Sequence, residues 1–250
     1  MFIDTHCHLL SEYYEDIDAI ILENRQNKVE KIIISGCEIE DLEESIRLAS
    51  QYDDVYLSLG FHPSESDKIS DIHLKRLEDL LSHPKVVALG EIGLDYHYGK
   101  DNMERQKELF EYQLSLAVRL SLPVVIHSRD ATKDTIDILS KYPVKGVIHC
   151  FSGSLETALQ YIKMGYLIGI GGVVTFKNSN LPHVVEKLDL SSIVLETDSP
   201  YLAPTPYRGE KNSSKYIPVI AQKIAEIQNV SVEDVMNQTS LNAMALFDFS

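Results

Sequence analysis

Cysteine is scarce in this sequence, and acidic residues outnumber basic ones. The 250 residues include three cysteines, Cys7, Cys37 and Cys150, and no two of them form a Cys-x-x-Cys pair. Three cysteines cannot all pair, so a disulfide-stapled scaffold and a zinc ribbon are both excluded. Lys and Arg number 23 against 38 Asp and Glu, which gives a net charge of −15. That charge argues against a protein that holds nucleic acid on a broad basic face.

Long apolar runs are also missing. No run approaches the roughly 20 residues that a membrane-spanning helix needs. The first ten residues include Asp4, His6 and His8 and lack a basic segment, so we expect no signal peptide and a cytoplasmic location. Proline and glycine do not cluster into a linker, and no internal repeat stands out. We therefore predict one domain over residues 1–250.

Short β-branched apolar runs alternate with longer segments of helical periodicity. Eight runs have the length of a strand: Phe2–Thr5, Lys31–Ser35, Val55–Leu59, Val86–Leu89, Pro123–Ile126, Gly146–Ile148, Tyr166–Ile170 and Ile193–Leu195. Their nearly continuous hydrophobicity indicates burial on both faces, as in parallel sheets. Eight such units in a chain of this length predict an α/β fold, the TIM (β/α)8 barrel, with a doubly wound open sheet as the alternative.

Two of the helical segments carry specific signals. In Met103–Leu122 one apolar stripe is predicted from Leu109, Phe110, Leu114, Ala117, Val118 and Leu120. The last stretch, Ser231–Phe249, opens with Ser231-x-x-Asp234, the pattern of a capping box, so we expect one or two helices there.

Polar residues recur at or just after the ends of the predicted strands. They are His6 and His8 (strand 1), His62 (strand 3), Glu91 (strand 4), His127 (strand 5), His149 (strand 6) and Asp198 (strand 8). In a barrel the carboxyl ends of the strands and the loops after them build the active site. We therefore expect these seven residues to meet on one rim.

The pair His6-x-His8 has the spacing of two ligands on one strand. Side chains two apart share a face and are displaced along it by roughly 6.6 Å, so two imidazoles can close on one ion. Cys7 then points away, and we expect Cys7 and Cys150 to be small buried hydrophobic residues.

The chemistry that fits imidazoles and carboxylates is metal-assisted hydrolysis. Such ligands suit Zn, Mn or Fe, and bound cations activate water and stabilise charge on the attacked centre. We assign Asp198 to the metal and the water, as general base, and Glu196 to orienting an imidazole N–H from one layer deeper. Gly-x-Ser-x-Gly, Walker and His-Glu-x-x-His motifs are all absent from the sequence.

An ordered set of motifs resembles one family over nearly the whole chain. They are Asp4-Thr5-His6-Cys7-His8, Gly60-Phe61-His62-Pro63, Gly90-Glu91-Ile92-Gly93-Leu94-Asp95-Tyr96, Pro123 to Asp130, His149-Cys150-Phe151-Ser152-Gly153-Ser154, Glu196 to Leu202, and Asn242-Ala243 before Leu246-Phe247. In this order they resemble the TatD-like metal-dependent deoxyribonucleases of the amidohydrolase superfamily.

The resemblance implies a TIM barrel that holds one or two divalent ions, Zn, Mg or Mn. It implies that His6, His8 and Asp198 bind the first ion, that His127 and His149 bind the second, and that Glu91 is shared and catalytic together with Asp198. The implied reaction is cleavage of phosphodiester bonds in DNA, as a 3′→5′ exonuclease on single-stranded ends, in the cytoplasm.

Substrate contacts and rival functions follow less directly. Arg129 is predicted to contact phosphate, and His62 to contact a phosphate or the leaving group, with a strand-end turn residue before Pro63 as the alternative for His62. Arg208, Lys211 and Lys177 lie in loops after late strands, where together with Arg129 they are expected to hold a few phosphates. After Arg208-Gly209 the chain has Asn212-Ser213-Ser214 where the family commonly shows Asn-Glu-Pro, which puts substrate preference in question. The alternatives are a hydrolase of small esters, amides or phosphoesters from the same superfamily, and a barrel that binds a metal or partner without turnover.

Overall fold

A computed structural model describes residues 1–97, 99 and 101–249. Over these residues the strands are β1 Phe2–Cys7, β2 Val29–Gly36, β3 Val55–Leu59, β4 Val86–Asp95, β5 Val124–Arg129, β6 Gly146–Ile148, β7 Tyr166–Ile170 and β8 Ile193–Leu195. The helices are α1 Ile17–Gln26, α2 Asp41–Gln51, α3 Asp71–Leu80, α4 Met103–Leu120, α5 Thr132–Leu139, α6 Leu155–Lys163, α7 Leu181–Val185, α8 Ile217–Gln228 and α9 Val232–Leu246.

All eight predicted strands are present, and they neighbour one another in chain order, β1 to β8, in one sheet. A helix follows each strand, and the strand pairs with a recorded register are parallel. This topology confirms the predicted (β/α)8 class over the doubly wound alternative, because a doubly wound sheet does not keep its strands in chain order.

The chain divides into two compact units, Met1–Ile34 with Cys150–Leu246, and Ser35–His149 with Phe247–Ser250. In the first unit β1 pairs with β2, β7 pairs with β8, and a parallel bridge joins Cys7 to Ser199 just after β8. Helices α8 and α9 pack on β1 and β8 in this unit, with Ile217, Ile220 and Ile224 fully buried. That apolar burial holds the carboxyl end of β1 beside the segment after β8.

The second unit contains β3 to β6 and the helices between them. All ten residues of β4 are buried, and β4 pairs with both β3 and β5. Leu109, Phe110, Leu114 and Ala117 form the buried face of α4, as predicted, while Val118 and Leu120 are exposed, so the predicted stripe was too wide. The prediction of one domain over residues 1–250 stays a prediction.

Four strands, β1, β2, β4 and β5, are longer than predicted. β4 runs to Asp95 and β5 to Arg129, so Glu91 and His127 lie inside strands and not after them. The apolar pattern stopped too early because these strands bury polar residues against one another. Cys7 is buried as expected, but Cys150 is part exposed, which contradicts its prediction. In the described part of the chain no helix has both the length and the apolar character needed to cross a membrane.

At the start of α9 the predicted capping box is confirmed. The Asp234 amide donates to the Ser231 hydroxyl at 3.0 Å, and both the amide and the hydroxyl of Ser231 donate to the Asp234 carboxylate. These reciprocal bonds satisfy amides that the first turn of a helix otherwise leaves free. One helix, α9, covers this stretch.

Candidate functional site

His6, His8 and Asp198 form a compact cluster in the first unit. The Nε2 atoms of His6 and His8 are 3.3 Å apart, and they lie 3.6 and 3.5 Å from Asp198 Oδ1. Both imidazoles are buried, and Asp198 is part exposed. The alternation of side chains along β1 thus brings the two rings to one point, as the His-x-His spacing predicted.

The backbone after β8 places the carboxylate of this cluster. The Asp198 amide donates to the carbonyl of His6 at 3.0 Å, and the His8 amide donates to the carbonyl of Ser199 at 2.7 Å. Asp198 has φ +55°, a conformation that Asp adopts more readily than most residues. The turn therefore directs its side chain back towards the histidines of β1.

Asp4 lies under this cluster and was given no role from the sequence. Its Oδ2 accepts from Thr197 Oγ1 at 2.6 Å, and its Oδ1 accepts from the amides of Thr197 and His6 at 3.0 and 3.2 Å. Burial raises the pKa of the Asp4 carboxyl to about 7, although hydrogen bonds from Thr197 and Ser214 oppose that rise. The same alternation that paired His6 with His8 puts Asp4 on their face and could have found it.

The departure at Asn212-Ser213-Ser214 falls in this buried region. Asn212 is fully buried, and its amide nitrogen donates to the carbonyls of Thr197 at 2.8 Å and Tyr201 at 2.6 Å. The Ser214 hydroxyl bonds to Asp4, a contact that a proline at this position has no group to make. The loop after β8 is therefore held from within by Asn212, and Ser214 adds a contact to Asp4.

Glu196 contacts the backbone next to a predicted ligand. Its Oε1 accepts from the amide of Cys150, the residue after His149, at 2.5 Å, and Cys150 has φ +46°. A Cβ at position 169 would overlap the Glu196 carboxylate, so Gly169 leaves the space in which that side chain lies. Glu196 thus fixes the chain next to His149 through the backbone; its predicted bond to an imidazole N–H stays a prediction.

Glu91, His127 and His149 form a second cluster, in the second unit. Glu91 Oε1 lies 2.7 Å from His127 Nδ1 and 3.6 Å from His149 Nε2, and one ligand atom from each residue lies within 4.8 Å of the others. Glu91 and His149 are buried. Neighbouring strands β4, β5 and β6 supply the three side chains, as the alignment of parallel strand ends predicted.

Asp95 extends this second cluster and was missed from the sequence. Its Oδ2 lies 3.1 Å from His127 Nε2, so both ring nitrogens of His127 face carboxylates. Burial by itself would lower the pKa of His127, but the bonds to Asp95 and Glu91 outweigh it and raise the pKa to about 9. The signal was available: in a strand continued to Asp95, alternation places Asp95 on the same face as Glu91.

Gly93, between these two carboxylates, has a conformation that favours glycine. It pairs with His127 across β4 and β5 and has φ +147°. A Cβ here would overlap the carbonyl oxygen of His127. The absence of a side chain therefore allows the close approach of the strands that carry Glu91 and His127.

His62 lies beside the second cluster with its proton position defined. Its Nδ1 accepts from the Ser64 amide at 3.2 Å, so in the neutral ring the proton is on Nε2, which lies 3.9 Å from Glu91 Oε1. Its ring is 4.5 Å from that of His127, centroid to centroid. His62 is thus brought to the cluster as predicted, with a donor directed towards it.

The predicted basic residues are divided between the two compact units. Arg129 is exposed at the end of β5, in the same strand as His127. In the first unit Lys211 donates to the carbonyl of Tyr13, and the Arg208 guanidinium lies 3.8 Å from the centre of the Phe176 ring. Lys177 is exposed. All four side chains are thus exposed, and Lys211 and Arg208 contact a backbone carbonyl and an aromatic ring, respectively.

Both clusters fit divalent metal ions by their donor chemistry. Each joins two imidazoles to one carboxylate, with facing atoms between 2.7 and 3.6 Å apart. Imidazole and carboxylate sets of this kind suit Zn, Mn or Fe. Asp95 and the amides around Asp4 provide the outer contacts that usually orient such ligands.

Comparisons with known proteins identify the family of this chain. The family described as TatD related DNase matches residues 3–248. The chain is 38% identical over 99% of its length to the uncharacterized metal-dependent hydrolase YabD of Bacillus subtilis, of which it covers 99%. The crystal structure of the TatD homolog YjjV of Escherichia coli superposes with a TM-score of 0.93 at 35% identity, over 99% of this chain and 98% of that one. A lactonase of Deinococcus radiodurans, at 11% identity and a TM-score of 0.66 over 98% and 95% of the two chains, shares the fold alone. The chain belongs to the family of TatD-related DNases.

Proposed function

We propose that the protein is a divalent-metal-dependent hydrolase that cleaves phosphodiester bonds in DNA, as a 3′→5′ exonuclease on single-stranded ends. The observation that carries this proposal is the pair of clusters, each of two imidazoles and a carboxylate, in a chain of the TatD-related DNase family. Its relatives YabD and YjjV are named metal-dependent hydrolases.

The ligands divide between the two clusters. His6, His8 and Asp198 would hold one ion, and Glu91, His127 and His149 a second; the resemblance implies that Glu91 is shared between them. When bound, divalent ions lower the pKa of water and stabilise negative charge on the attacked phosphate. The identity of the metal, Zn, Mg or Mn, depends on availability as well as on these ligands.

Asp198 is the proton acceptor in this proposal. Its side chain is the most exposed of its cluster. The Asp198 amide donates a hydrogen bond to the carbonyl of His6, which fixes the backbone of Asp198 next to β1. The carboxylate therefore reaches solvent from a fixed position. A carboxylate held in this way takes a proton from an attacking water as general base. Glu91 is buried, with its Oε1 2.7 Å from His127 Nδ1, and serves as ligand and electrostatic partner.

Two side chains are proposed to bind the substrate phosphate. His62 Nε2–H is directed into the second cluster and can donate to a phosphate oxygen. Arg129 presents a guanidinium at the end of β5, and its planar fork matches two phosphate oxygens. A few such cations in a protein of charge −15 suit the end of a strand better than a long duplex.

Cleavage of labelled single-stranded DNA tests this function. Wild-type protein with Mg²⁺ or Mn²⁺ should shorten the strand to mononucleotides, and EDTA should abolish the reaction. Asp198→Asn should lose at least 100-fold in rate, on the order of the contribution of a general base, while Asp79→Asn, the same change at an exposed helix position, should match wild type. Full activity in EDTA would contradict the proposal.

Polarity and substrate class need separate substrates. A strand labelled at the 5′ end should give a descending ladder, a strand blocked at its 3′ end should resist, and circular single-stranded DNA should stay intact. Cleavage of the circular strand would show that the protein is an endonuclease and not an exonuclease. Turnover of nitrophenyl esters or phosphoesters without any action on DNA would favour the small-molecule hydrolase instead.

Salt dependence measures how many phosphates are contacted. For single strands the logarithm of affinity falls with the logarithm of salt with a slope near −0.7 per phosphate contacted. We expect a shallow slope that corresponds to about two or three phosphates.

A cytoplasmic location and the oligomeric state are further expectations. Cell fractionation tests the location, and light scattering of the purified protein measures the oligomeric state.

A further inference from the structure

An exposed aromatic ring lies directly beside the first cluster. Tyr201 is 51% exposed, and its ring centroid is 6.2 Å from that of His8 at an angle of 68°. Tyr13 also packs against this ring, with the two centroids 6.0 Å apart and the two hydroxyls 3.3 Å apart. Two tyrosines thus form a small aromatic surface that begins at a proposed metal ligand. We call this surface, Tyr201 with Tyr13, the tyrosine pair.

The backbone that carries this ring is firmly held. The Tyr201 amide donates to the Asp198 carbonyl at 2.9 Å, and its carbonyl accepts from the buried side chain of Asn212 at 2.6 Å. On the other side Lys211 donates to the carbonyl of Tyr13. The ring of Tyr201 is therefore exposed although its main chain is fixed, and it needs no induced ordering to receive a ligand.

An exposed, immobilised aromatic ring is the usual group on which a nucleobase stacks. Stacking tolerates any base, since every base has a π-face, and it needs no hydrogen-bond readout. The ring lies within the reach of one nucleotide from His8 and Asp198, where a phosphate would be attacked. An acidic protein with few local cations also needs an uncharged contribution to affinity.

We infer that the tyrosine pair is a stacking platform for the terminal base of a single-stranded nucleic acid, with Tyr201 as the contacting ring. The inference rests on the proposed function for its substrate class and adds a binding subsite to it. It also explains why an acidic protein can take strand ends: the end is held by its base, and the phosphate contacts remain few.

A double-mutant cycle tests the platform. The two substrates are short oligothymidylates. In one, both terminal nucleotides carry their base; in the other, both terminal nucleotides are abasic. The two proteins are wild type and Tyr201→Leu. Wild type should show a KM about 5- to 100-fold lower for the base-bearing strand, the range expected for one stacked base. Tyr201→Leu should raise KM for that strand by the same factor and leave the abasic strand unchanged.

Two further variants separate stacking from other effects. Tyr201→Phe keeps the ring and loses only the hydroxyl contact with Tyr13, so its KM should stay near that of wild type. Tyr112→Leu removes an exposed tyrosine on α4, in the second unit, and should leave KM unchanged for both substrates. Thermal unfolding of all three variants checks that the fold is retained.

The outcomes distinguish this inference from the proposed function. If Tyr201→Leu raises KM equally for both strands, or for neither, the stacking platform is wrong even though DNA is cleaved. If wild type cleaves neither strand, the proposed function fails. Binding of the labelled strands, measured by fluorescence anisotropy, then decides whether the tyrosine pair holds the terminal base. Preference of wild type for the base-bearing strand, lost in Tyr201→Leu, supports the platform; equal binding overturns it.

Discussion

Thr197 Oγ1 donates a hydrogen bond of 2.6 Å to the buried carboxylate of Asp4 and thereby joins the segment after β8 to β1. The same hydroxyl accepts from the Ser199 amide at 3.2 Å, on the other side of Asp198. His6 and Asp198, on the two joined segments, are two of the three ligands proposed for the first ion. A bond between residues that are not ligands therefore controls how two ligands meet.

Thr197→Val should weaken metal binding by the first cluster. The substitution keeps the shape and leaves the Asp4 carboxylate and the Ser199 amide without their partner, which costs about 1–3 kcal/mol of stability. We expect a drop in affinity for Co²⁺, measured by its visible absorption, while Thr197→Ser keeps the hydroxyl and stays near wild type. An unchanged Co²⁺ titration in a destabilised Thr197→Val would show that the bond supports only the fold.

Asp95→Asn should weaken metal binding by the second cluster. Asp95 is the outer partner of His127 Nε2, and loss of such a partner typically costs 10- to 100-fold in metal affinity. Asp130→Asn is the matched control, because Asp130 forms a 2.9 Å bond to the exposed ring of His97. Metal content after dialysis, compared between the two variants, gives the answer. Equal retention in both would remove Asp95 from the site.

Stability of the metal-free protein should depend on pH through His127. Its pKa in the folded state is about 9, because the bonds to Asp95 and Glu91 outweigh burial, and the unfolded value is 6.5. A raised folded-state pKa stabilises the protein fully below pH 6.5, and that contribution is lost as the pH rises through 9.

The measurement is thermal unfolding in EDTA across this range for wild type and His127→Asn. The advantage of wild type should shrink between pH 6.5 and 9. His83→Asn, a change at a histidine that lies between α3 and β4 and belongs to neither cluster, should run parallel to wild type. A constant difference between wild type and His127→Asn across the range would contradict the assigned protonation.

Gly93→Ala should destabilise the protein more than Gly99→Ala. Both glycines have a positive φ, +147° and +146°, so the backbone penalty is shared. Only at Gly93 would the new Cβ overlap another atom, the carbonyl of His127, and overpacking of this kind adds about 1–3 kcal/mol. Urea unfolding of the two variants measures the difference. Equal losses would show that β4 and β5 can separate to admit the methyl group.

Local sequence signals were sufficient for the strands and for most of the proposed ligands. Apolar runs of strand length located all eight strands, because a strand buried on both faces must be apolar nearly throughout. The rule that parallel strands present their carboxyl ends together then selected His6, Glu91 and His127 without any contact information.

Residues whose role depends on a distant partner were missed. Strand alternation places Asp4 and Asp95 on the ligand face, but their roles depend on Thr197 and His127. The role proposed for Tyr201 depends on its exposure beside His8. The ends of β4 and β5 were placed too early for the same reason. A buried Glu91 looks like the end of a strand until its imidazole partner is known to offset the cost of burying it.

The sequence by itself determined the number, order and approximate position of the strands, and the residue types that can bind metal. These follow from periodicity and composition, which are local properties. Only the tertiary structure decided which carboxylate faces which imidazole, which hydroxyl holds Asp4, and which tyrosine remains exposed. Such pairings join residues up to 193 positions apart, and their energies arise from burial and geometry that no local stretch of sequence contains.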